Sequence, residues 1–139
     1  MKLFQKLWMA FHVWMYRRSG GKTMGSLNGA PVLLLTVKGR KTGRMRTVPL
    51  GCFDHKDGYV IVASNQGLPT HPAWYLNLQS NPRATMQLLD ELIPVTAETL
   101  SGAARAQAWR QVITTSPIYA GYEKSTSREI PLVLLRPVK

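Results

Sequence analysis

The chain has 139 residues, 45% of them apolar, and is therefore long enough to bury the core of one domain. Its formal net charge of +11 predicts an anionic partner, namely nucleic acid, a phospholipid surface or a polyanionic small molecule. The single cysteine, Cys52, excludes an internal disulfide framework and is typical of a reducing compartment. Together with three scattered histidines it cannot supply clustered ligands, so no metal site is expected.

The first predicted helix runs from about Leu3 to Arg17. Its uncharged run, residues 7–16, is shorter than the about 20 apolar residues that span a bilayer. Two interpretations stay open. In the first, the apolar stripe packs on the protein's own core or on a partner. In the second, which we favour, the stripe enters a membrane interface while the flanking cations contact anionic lipid. The stripe repeats at helical spacing and comprises Phe4, Leu7, Trp8, Phe11, Trp14 and Met15.

The next residues, 20–29, are predicted to form a loop because glycine, serine and other polar residues dominate them. We therefore expect residues 1–28 to be a helix with a linker, and residues 29–139 to be the folded domain. Arg17–Arg18 stand where the cleavage site of a signal peptide would need small residues, so no signal peptide is expected.

Residues 31–50, PVLLLTVKGRKTGRMRTVPL, predict a β-hairpin with a basic turn. Gly39 and Gly43 permit positive φ angles and a close approach of backbone N–H groups to a ligand oxygen. Such a turn is suited to an extended anion, but a run of charge is as often only solvated surface, so both interpretations stay open at this point. The turn has no acidic residue and five cations: Lys38, Arg40, Lys41, Arg44 and Arg46.

Short strands dominate the rest of the chain, and the fold class is predicted to be mainly β (α+β). Helices are predicted over Ala73–Gln79 and over Ser101–Thr114, the second with Ser101 as its N-cap and an apolar face that includes Ala104. Six short strands with few helices predict a small antiparallel barrel. The predicted strands are Val32–Val37, Arg46–Phe53, Tyr59–Ser64, Ala84–Leu88, Ile93–Thr99 and Pro131–Leu135.

Three stretches offer polar and aromatic side chains for chemistry: residues 62–65, 71–78 and 117–122. The chain has no nucleophile elbow, and its few acids include only one adjacent pair, which disfavours carboxylate acid–base chemistry. Aromatic rings, hydroxyls, an amide and cations are typical of a site that binds a flat ligand with an anionic tail. For Trp74 and the tyrosines, plain core packing is the competing interpretation.

Three ordered blocks, residues 31–51, 59–82 and 119–135, resemble the deazaflavin-dependent nitroreductase family, also described as coenzyme F420-dependent quinone reductases. The blocks include VKGRKTGRMRTVPLG, YVIVASNQG with HPAWYLNL, and YAGYEKSTSREIPLVLL, and the resemblance extends over residues 29–138. It implies a split β-barrel and the reduced 8-hydroxy-5-deazaflavin cofactor, coenzyme F420. It also implies hydride transfer from that cofactor to a small flat acceptor such as a quinone, a nitroaromatic or an activated enone.

The resemblance also assigns the cofactor site. The loop that holds the phosphate and oligoglutamate tail is matched by Arg40, Lys41, Thr42 and Arg46. The strand beside the ring system is matched by Thr47, Val48, Pro49, Leu50 and Gly51. The strand end near the reactive edge is matched by Val62, Ala63, Ser64 and Asn65, and the covering helix by Ala73, Trp74, Tyr75, Leu76 and Asn77.

The substrate pocket is matched by Trp74, Tyr119 and Tyr122, and Tyr119 also belongs to the implied cofactor contacts. Ser64 and Tyr119 are the hydroxyls expected to act in catalysis, by orienting the substrate or relaying a proton. Family members often carry a basic residue and a glycine where this chain has Asn65 and Gln66, and an aromatic residue at Ser116. The pocket is therefore expected to differ in shape, and reduction of nitroimidazoles is not implied.

The family's N-terminal helix is mobile or membrane-associated, which agrees with the interfacial interpretation. The expected location is cytoplasmic, with peripheral attachment to the inner face of the cell membrane. Two alternatives remain: an FMN-binding split-barrel oxidoreductase, and a basic non-enzymatic module for membranes or nucleic acid, of which nucleic acid is disfavoured. The sequence specifies neither the physiological acceptor nor the oligomeric state.

Overall fold

The computed structural model describes residues 10, 11, 13, 14, 16, 17, 26, 27 and 29–138. A short 3-10 helix, Asn65–Gly67, lies between the fourth strand and the first complete helix. The helices are α1 (Ala73–Ser80), α2 (Gly102–Thr115) and α3 (Ile118–Ser125). The strands are β1 (Ser26–Leu27), β2 (Ala30–Lys38), β3 (Met45–His55), β4 (Gly58–Val62), β5 (Arg83–Leu88), β6 (Glu91–Thr99) and β7 (Leu132–Pro137).

Six of these strands close into an antiparallel barrel in the order β2-β3-β4-β7-β6-β5, because β5 also pairs with β2. The longest ladder joins β2 to β3, from Val32 opposite Gly51 to Lys38 opposite Met45. Closure removes the exposed edges that an open sheet of short strands would have. The predicted barrel is confirmed, and β1 corrects the predicted loop over residues 20–29, since Ser26–Leu27 pairs with β2.

The barrel wall opens on one side of β3. The ladder between β3 and β4 starts only at Cys52, which lies opposite Ile61, so the described ladders join residues 45–51 of β3 to β2 alone. Beyond β4 the chain turns toward β7 instead, where the backbone N of Ala63 donates to the Pro131 carbonyl at 2.9 Å. The opening is this gap in backbone pairing between residues 45–51 and the segment that follows β4, and predicted site residues lie in both segments.

Side chains alternate between the two faces of each strand, as the pleat requires, and one face of every barrel strand contributes to the barrel interior. In β3, Cys52 lies in the barrel interior, whereas Phe53 lies in an outer core beneath α2 and α3. Three side chains of α1 complete the interior: Trp74, Tyr75 and Leu78. Burial raises the pKa of the Cys52 thiol to about 12, so this cysteine is the small core residue that the sequence predicts.

The described N-terminal helical residues lie against the outer face of β2. Tyr16 is fully buried there, and its hydroxyl accepts a hydrogen bond from the backbone N of Leu89 at 2.8 Å. The contact surface is therefore not the predicted stripe, because the stripe members Phe11 and Trp14 are 51% and 52% exposed. The first residues of the predicted helix lie outside the described ones, and no described helix is long and apolar enough to cross a bilayer.

The predicted bounds of α1 and α2 are correct to within a residue. Ser101 is the N-cap of α2, as predicted, although its side chain makes no capping hydrogen bond. The predicted apolar face is wrong at Ala104, which is exposed. Helix α3 is not among the predicted elements, because a glycine within it and a proline before it conceal its helical pattern. It places Tyr119 and Tyr122 on one face, as residues three apart in a helix must lie.

Candidate active site

The loop of the β2–β3 hairpin, residues 39–44, has a defined backbone. Gly39 donates to the Arg44 carbonyl, and Gly43 donates to the Gly39 carbonyl, both at 2.8 Å. Gly43 has a φ of 75°, which favours glycine, and a Cβ atom at Gly39 would lie 3.0 Å from the Arg44 carbonyl oxygen. Both glycines are therefore required by the loop's own geometry.

The five hairpin cations, Lys38, Arg40, Lys41, Arg44 and Arg46, are all exposed. The ion pairs formed within the described residues involve other basic groups, namely His55, Arg105 and Arg136. The hairpin therefore carries a cluster of positive charge that the protein's own acids do not neutralise. Such a cluster attracts and binds an external anion.

Arg40 joins the hairpin to α1. Its backbone N and its Nη1 both donate to Oδ1 of Asn77, at 3.1 and 2.8 Å. Asn77 is 6% exposed and follows Trp74 and Tyr75, whose rings lie in the barrel interior. Two of the predicted cofactor-binding segments, the hairpin and α1, are thus in direct contact.

Several predicted site residues are core side chains. Trp74 is 9% exposed, and its ring packs edge-on against Tyr75 with the centroids 6.2 Å apart. The packing interpretation describes Trp74 in this structure, and its contact with a cofactor stays a prediction. The others that pack in a core are Val48, Leu50, Val62, Ala63, Tyr75, Tyr119 and Tyr122.

Thr47 lies on the outward side of β3. Its hydroxyl is 2.8 Å from the hydroxyl of Thr36 and accepts a hydrogen bond from Nη2 of Arg17 at 3.2 Å. Arg17 is a site candidate that sequence reasoning missed, because only the docking of the N-terminal helix on β2 brings this cation to the hairpin. It adds a sixth positive charge beside the five cations of the turn.

The segment after β4 has an unusual backbone. Asn65 and Gln66 have φ angles of 47° and 57°, and Gly67 follows with 77°. A left-handed conformation costs a non-glycine residue roughly 1–2 kcal/mol, somewhat less for asparagine, and persists only where surrounding contacts hold it. One local contact is the hydrogen bond from Nδ2 of Asn65 to the Thr70 carbonyl at 2.9 Å.

Arg128 supplies the other contacts of this segment. Its Nε donates to the Leu68 carbonyl at 3.0 Å, and its Nη2 to the Ser64 carbonyl at 2.8 Å. Its Nη1 lies 3.1 Å from Nδ1 of His71. Since arginine only donates, that nitrogen must accept and carries no proton. Burial and the Arg128 charge lower the His71 pKa accordingly.

Tyr119 is buried on the outer side of the barrel. Its ring packs edge-on against Phe53 and Tyr122, with centroid distances of 6.0 and 5.8 Å. Burial, and to a smaller degree Tyr122, raises the Tyr119 pKa. The hydroxyl therefore stays protonated at neutral pH. Gly67 lies directly under α3, because a Cβ atom there would be 3.1 Å from the Tyr122 carbonyl oxygen.

These contacts connect the predicted segments in one continuous series. The hairpin touches α1 through Arg40, α1 meets His71 through Tyr75 at a ring distance of 5.0 Å, and His71 meets Arg128. The segment that Arg128 holds packs under α3, which carries Tyr119. Sequence reasoning noted the stretch around Arg128 but gave it no role, since the acceptors of this side chain lie 57 to 65 residues away.

The family model described as F420H(2)-dependent quinone reductase matches residues 8–137. The chain belongs to this family. Its cofactor is therefore reduced coenzyme F420, and the chain is an F420-dependent reductase.

Individual relatives agree. The chain is 35% identical over 131 residues to the F420H(2)-dependent quinone reductase Rv1261c of Mycobacterium tuberculosis, covering 91% of this chain and 88% of that protein. It is 37% identical to the solved F420-H2 dependent reductase FDR-A, with a TM-score of 0.70 over 76% of this chain and 94% of that one. A FAD-binding protein of Mesorhizobium loti is 13% identical with a TM-score of 0.56 over 78% and 79%, which shows the fold alone.

The residues of this F420-dependent reductase fit such a cofactor. Phosphate and carboxylate groups require unneutralised cations and accessible N–H donors, and the hairpin offers both. The predicted tail-binding residues Arg40, Lys41, Thr42 and Arg46 are all exposed, although Nη1 of Arg40 also donates to Asn77.

Proposed function

We propose that this F420-dependent reductase passes hydride to a quinone, with nitroaromatics and activated enones as further acceptors. The observation that carries the proposal is the cluster of unneutralised hairpin cations at the end of β3 that borders the opening in the barrel wall. When bound, the cofactor supplies the hydride. The protein binds the cofactor and the acceptor, orients them toward each other and excludes water from the site.

Binding is assigned to the residues around the opening. Arg40, Lys41, Thr42 and Arg46 hold the phosphate and the oligoglutamate tail through charge-assisted hydrogen bonds. The strand residues on either side, 47–51 and 62–65, offer mainly backbone groups and small side chains to the ring system. Residues 73–77 of α1 support the hairpin, and Asn77 holds Arg40 in place.

The acceptor is assigned to the side of the opening that faces α3. Trp74, Tyr119 and Tyr122 provide its aromatic walls. A quinone that gains hydride must also gain a proton, and a tyrosine with a raised pKa is a donor rather than a base. We assign this proton to the Tyr119 hydroxyl, and the orientation of the acceptor oxygen to Ser64.

Direct titration tests the cofactor assignment. The protein is mixed with coenzyme F420, with a truncated form that lacks the glutamates, and with FMN. We expect micromolar binding of F420, weaker binding of the truncated form, and a loss of this difference at high salt, because exposed charges are screened. Clear binding of FMN without binding of F420 would overturn the proposal. Steady-state assays with a menaquinone analogue, a nitroaromatic and an unsaturated lactone then rank the acceptors.

We also propose that the exposed N-terminal aromatic residues contact an anionic membrane surface. Phe11 and Trp14 are half exposed with ring centroids 6.2 Å apart, and aromatic residues flanked by cations suit the membrane interface. Deleting the helix is a poor test, since Tyr16 is buried against the barrel. The pair F11S and W14S leaves that contact intact, and should reduce sedimentation with phosphatidylglycerol vesicles. Unchanged sedimentation contradicts the proposal.

A further inference from the structure

Arg128 directs all of its side-chain contacts to one segment. The four hydrogen-bond partners of its guanidinium, at 2.8–3.3 Å, are the carbonyls of Ala63, Ser64 and Leu68 and the Nδ1 atom of His71. This segment, residues 63–71, runs from the end of β4 to the start of α1. One side chain therefore holds the whole connection between the barrel and the helix that supports the hairpin.

The individual distances are 3.3 Å to Ala63, 2.8 Å to Ser64, 3.0 Å to Leu68 and 3.1 Å to His71, so the bond to Ser64 is the shortest of the four. An arginine suits this position because its planar guanidinium carries five N–H donors in a fixed fork. A lysine keeps the charge but has a single donor atom and no fork, so it cannot reach several carbonyls in the same geometry.

The segment needs an external support. Within it, Gly67 donates to the Ser64 carbonyl at 2.9 Å, and Leu68 donates to the Asn65 carbonyl at 3.0 Å. These two bonds close a turn in which Asn65 and Gln66 both have positive φ, a conformation that non-glycine residues rarely adopt. Such a backbone persists where tertiary contacts hold it, and here Arg128 and the packing of Gly67 under α3 supply such contacts.

We propose that Arg128 is a positioning residue of the active site, which fixes the turn at residues 64–68 and thereby the Ser64 hydroxyl. This inference rests on the proposed function, in which Ser64 orients the acceptor. Arg128 itself touches neither acceptor nor cofactor, because its donors are directed to the protein's own carbonyls and to the His71 ring. Its loss changes the geometry of the acceptor side and leaves the cations that hold the cofactor tail in place.

The test compares R128K with the matched control R105K. Arg105 also donates to a backbone carbonyl, that of Ile130 at 2.7 Å, and pairs with Glu129, but it lies on α2 outside the site. In the free protein, R128K should speed amide hydrogen exchange at Gly67 and Leu68 at least about tenfold, whereas R105K should not. If R128K does not fold, R128Q replaces it, since its amide still donates two N–H bonds.

The kinetic readout separates positioning from simple structural loss. With a menaquinone analogue, R128K should lower kcat by about ten- to a hundredfold, as a small misplacement of a reacting group does, while the Kd for F420 stays within about twofold. In an S64A background the same substitution should lower kcat by less than about twofold, because its target is already absent. Equal effects of R128K in both backgrounds overturn the inference.

The two proposals fail in different ways. If the wild-type protein neither binds F420 nor reduces any acceptor, the proposed function is wrong. If the wild type binds and turns over while R128K or R128Q matches it in exchange rates and kcat, only the role of Arg128 is wrong.

Discussion

The contact between Asn77 and Arg40 allows a sharp test of the hairpin. Oδ1 of Asn77 accepts two hydrogen bonds from Arg40, one from the backbone N and one from the charged Nη1. Replacing Asn77 by Ala removes both. A neutral hydrogen bond contributes about 1 kcal/mol and a charged one about 1.5–3 kcal/mol, but water can replace the acceptor at the exposed Arg40. We therefore expect N77A to lower the free energy of unfolding by about 2 kcal/mol.

N77D should separate stability from binding. A carboxylate keeps an acceptor for both donors of Arg40, so the free energy of unfolding should stay within about 1 kcal/mol of wild type. It also places a negative charge beside the anion that the hairpin is proposed to bind. Two unit charges 4 Å apart repel by about 1 kcal/mol even in bulk water, so the affinity for F420 should fall at least about fivefold.

Urea unfolding measures the first effect, and titration with F420 and its truncated form measures the second. The loss of affinity in N77D should be largest for the full-length cofactor at low salt, and should shrink in about 1 M salt, where the Debye length is about 3 Å. If N77D binds full-length F420 as tightly as wild type at low salt, the hairpin does not hold the anionic tail, and the reasoning about its unneutralised charge fails.

Three further predictions follow from single residues. G67A should lower the free energy of unfolding, measured in urea, by about 1–3 kcal/mol, because φ is 77° and the new Cβ would lie 3.0 Å from Cβ of Ser125. The control G121A introduces its Cβ into open space and should be neutral or stabilising by up to about 1 kcal/mol. The lowered pKa of His71 contributes stability that is fully present above the ordinary histidine pKa near 6.5 and is lost as pH falls through the lowered pKa. The urea midpoint should therefore drop on acidification, and H71Q should reduce that drop. An equal drop in both proteins contradicts this. Y119F keeps the buried ring, so it should change stability by less than about 1 kcal/mol but lower kcat with a quinone at least about tenfold; an unchanged kcat would mean that the proton comes from elsewhere.

The barrel is predictable from the sequence because several of its strands, such as β2 and β7, are apolar runs that are largely buried on both faces. Apolar runs such as Val32–Val37, bounded by turn residues, have few other stable uses in a chain of this length. Helix α3 escapes prediction because Gly121 lowers helix propensity and the helix has only eight residues. Its stability comes from packing over the segment that contains Gly67, a contact that sequence periodicity does not encode.

The N-terminal helix illustrates a different limit. Periodicity predicts that the segment is helical, and it leaves open whether the aromatic stripe packs on the core or a partner or enters a membrane interface, which we favour. In the structure Val13 and Tyr16 pack on the barrel instead. Tyr16 lies on that face because its hydroxyl satisfies the backbone of the β5–β6 turn at Leu89, a long-range requirement that helical spacing cannot reveal.

The cations of this chain divide into two kinds, and the division explains which parts of the site the sequence could indicate. Arg128 has its donors satisfied by the protein's own carbonyls, so its charge organises backbone and attracts no ligand. The hairpin cations have few internal acceptors, so their charge acts outward. A dense basic turn is visible in the sequence, whereas an arginine whose acceptors lie about 60 residues away looks like any surface cation. Net charge alone therefore predicts an anionic partner. Which cations are available to bind that partner depends on whether the protein's own acceptors already satisfy them.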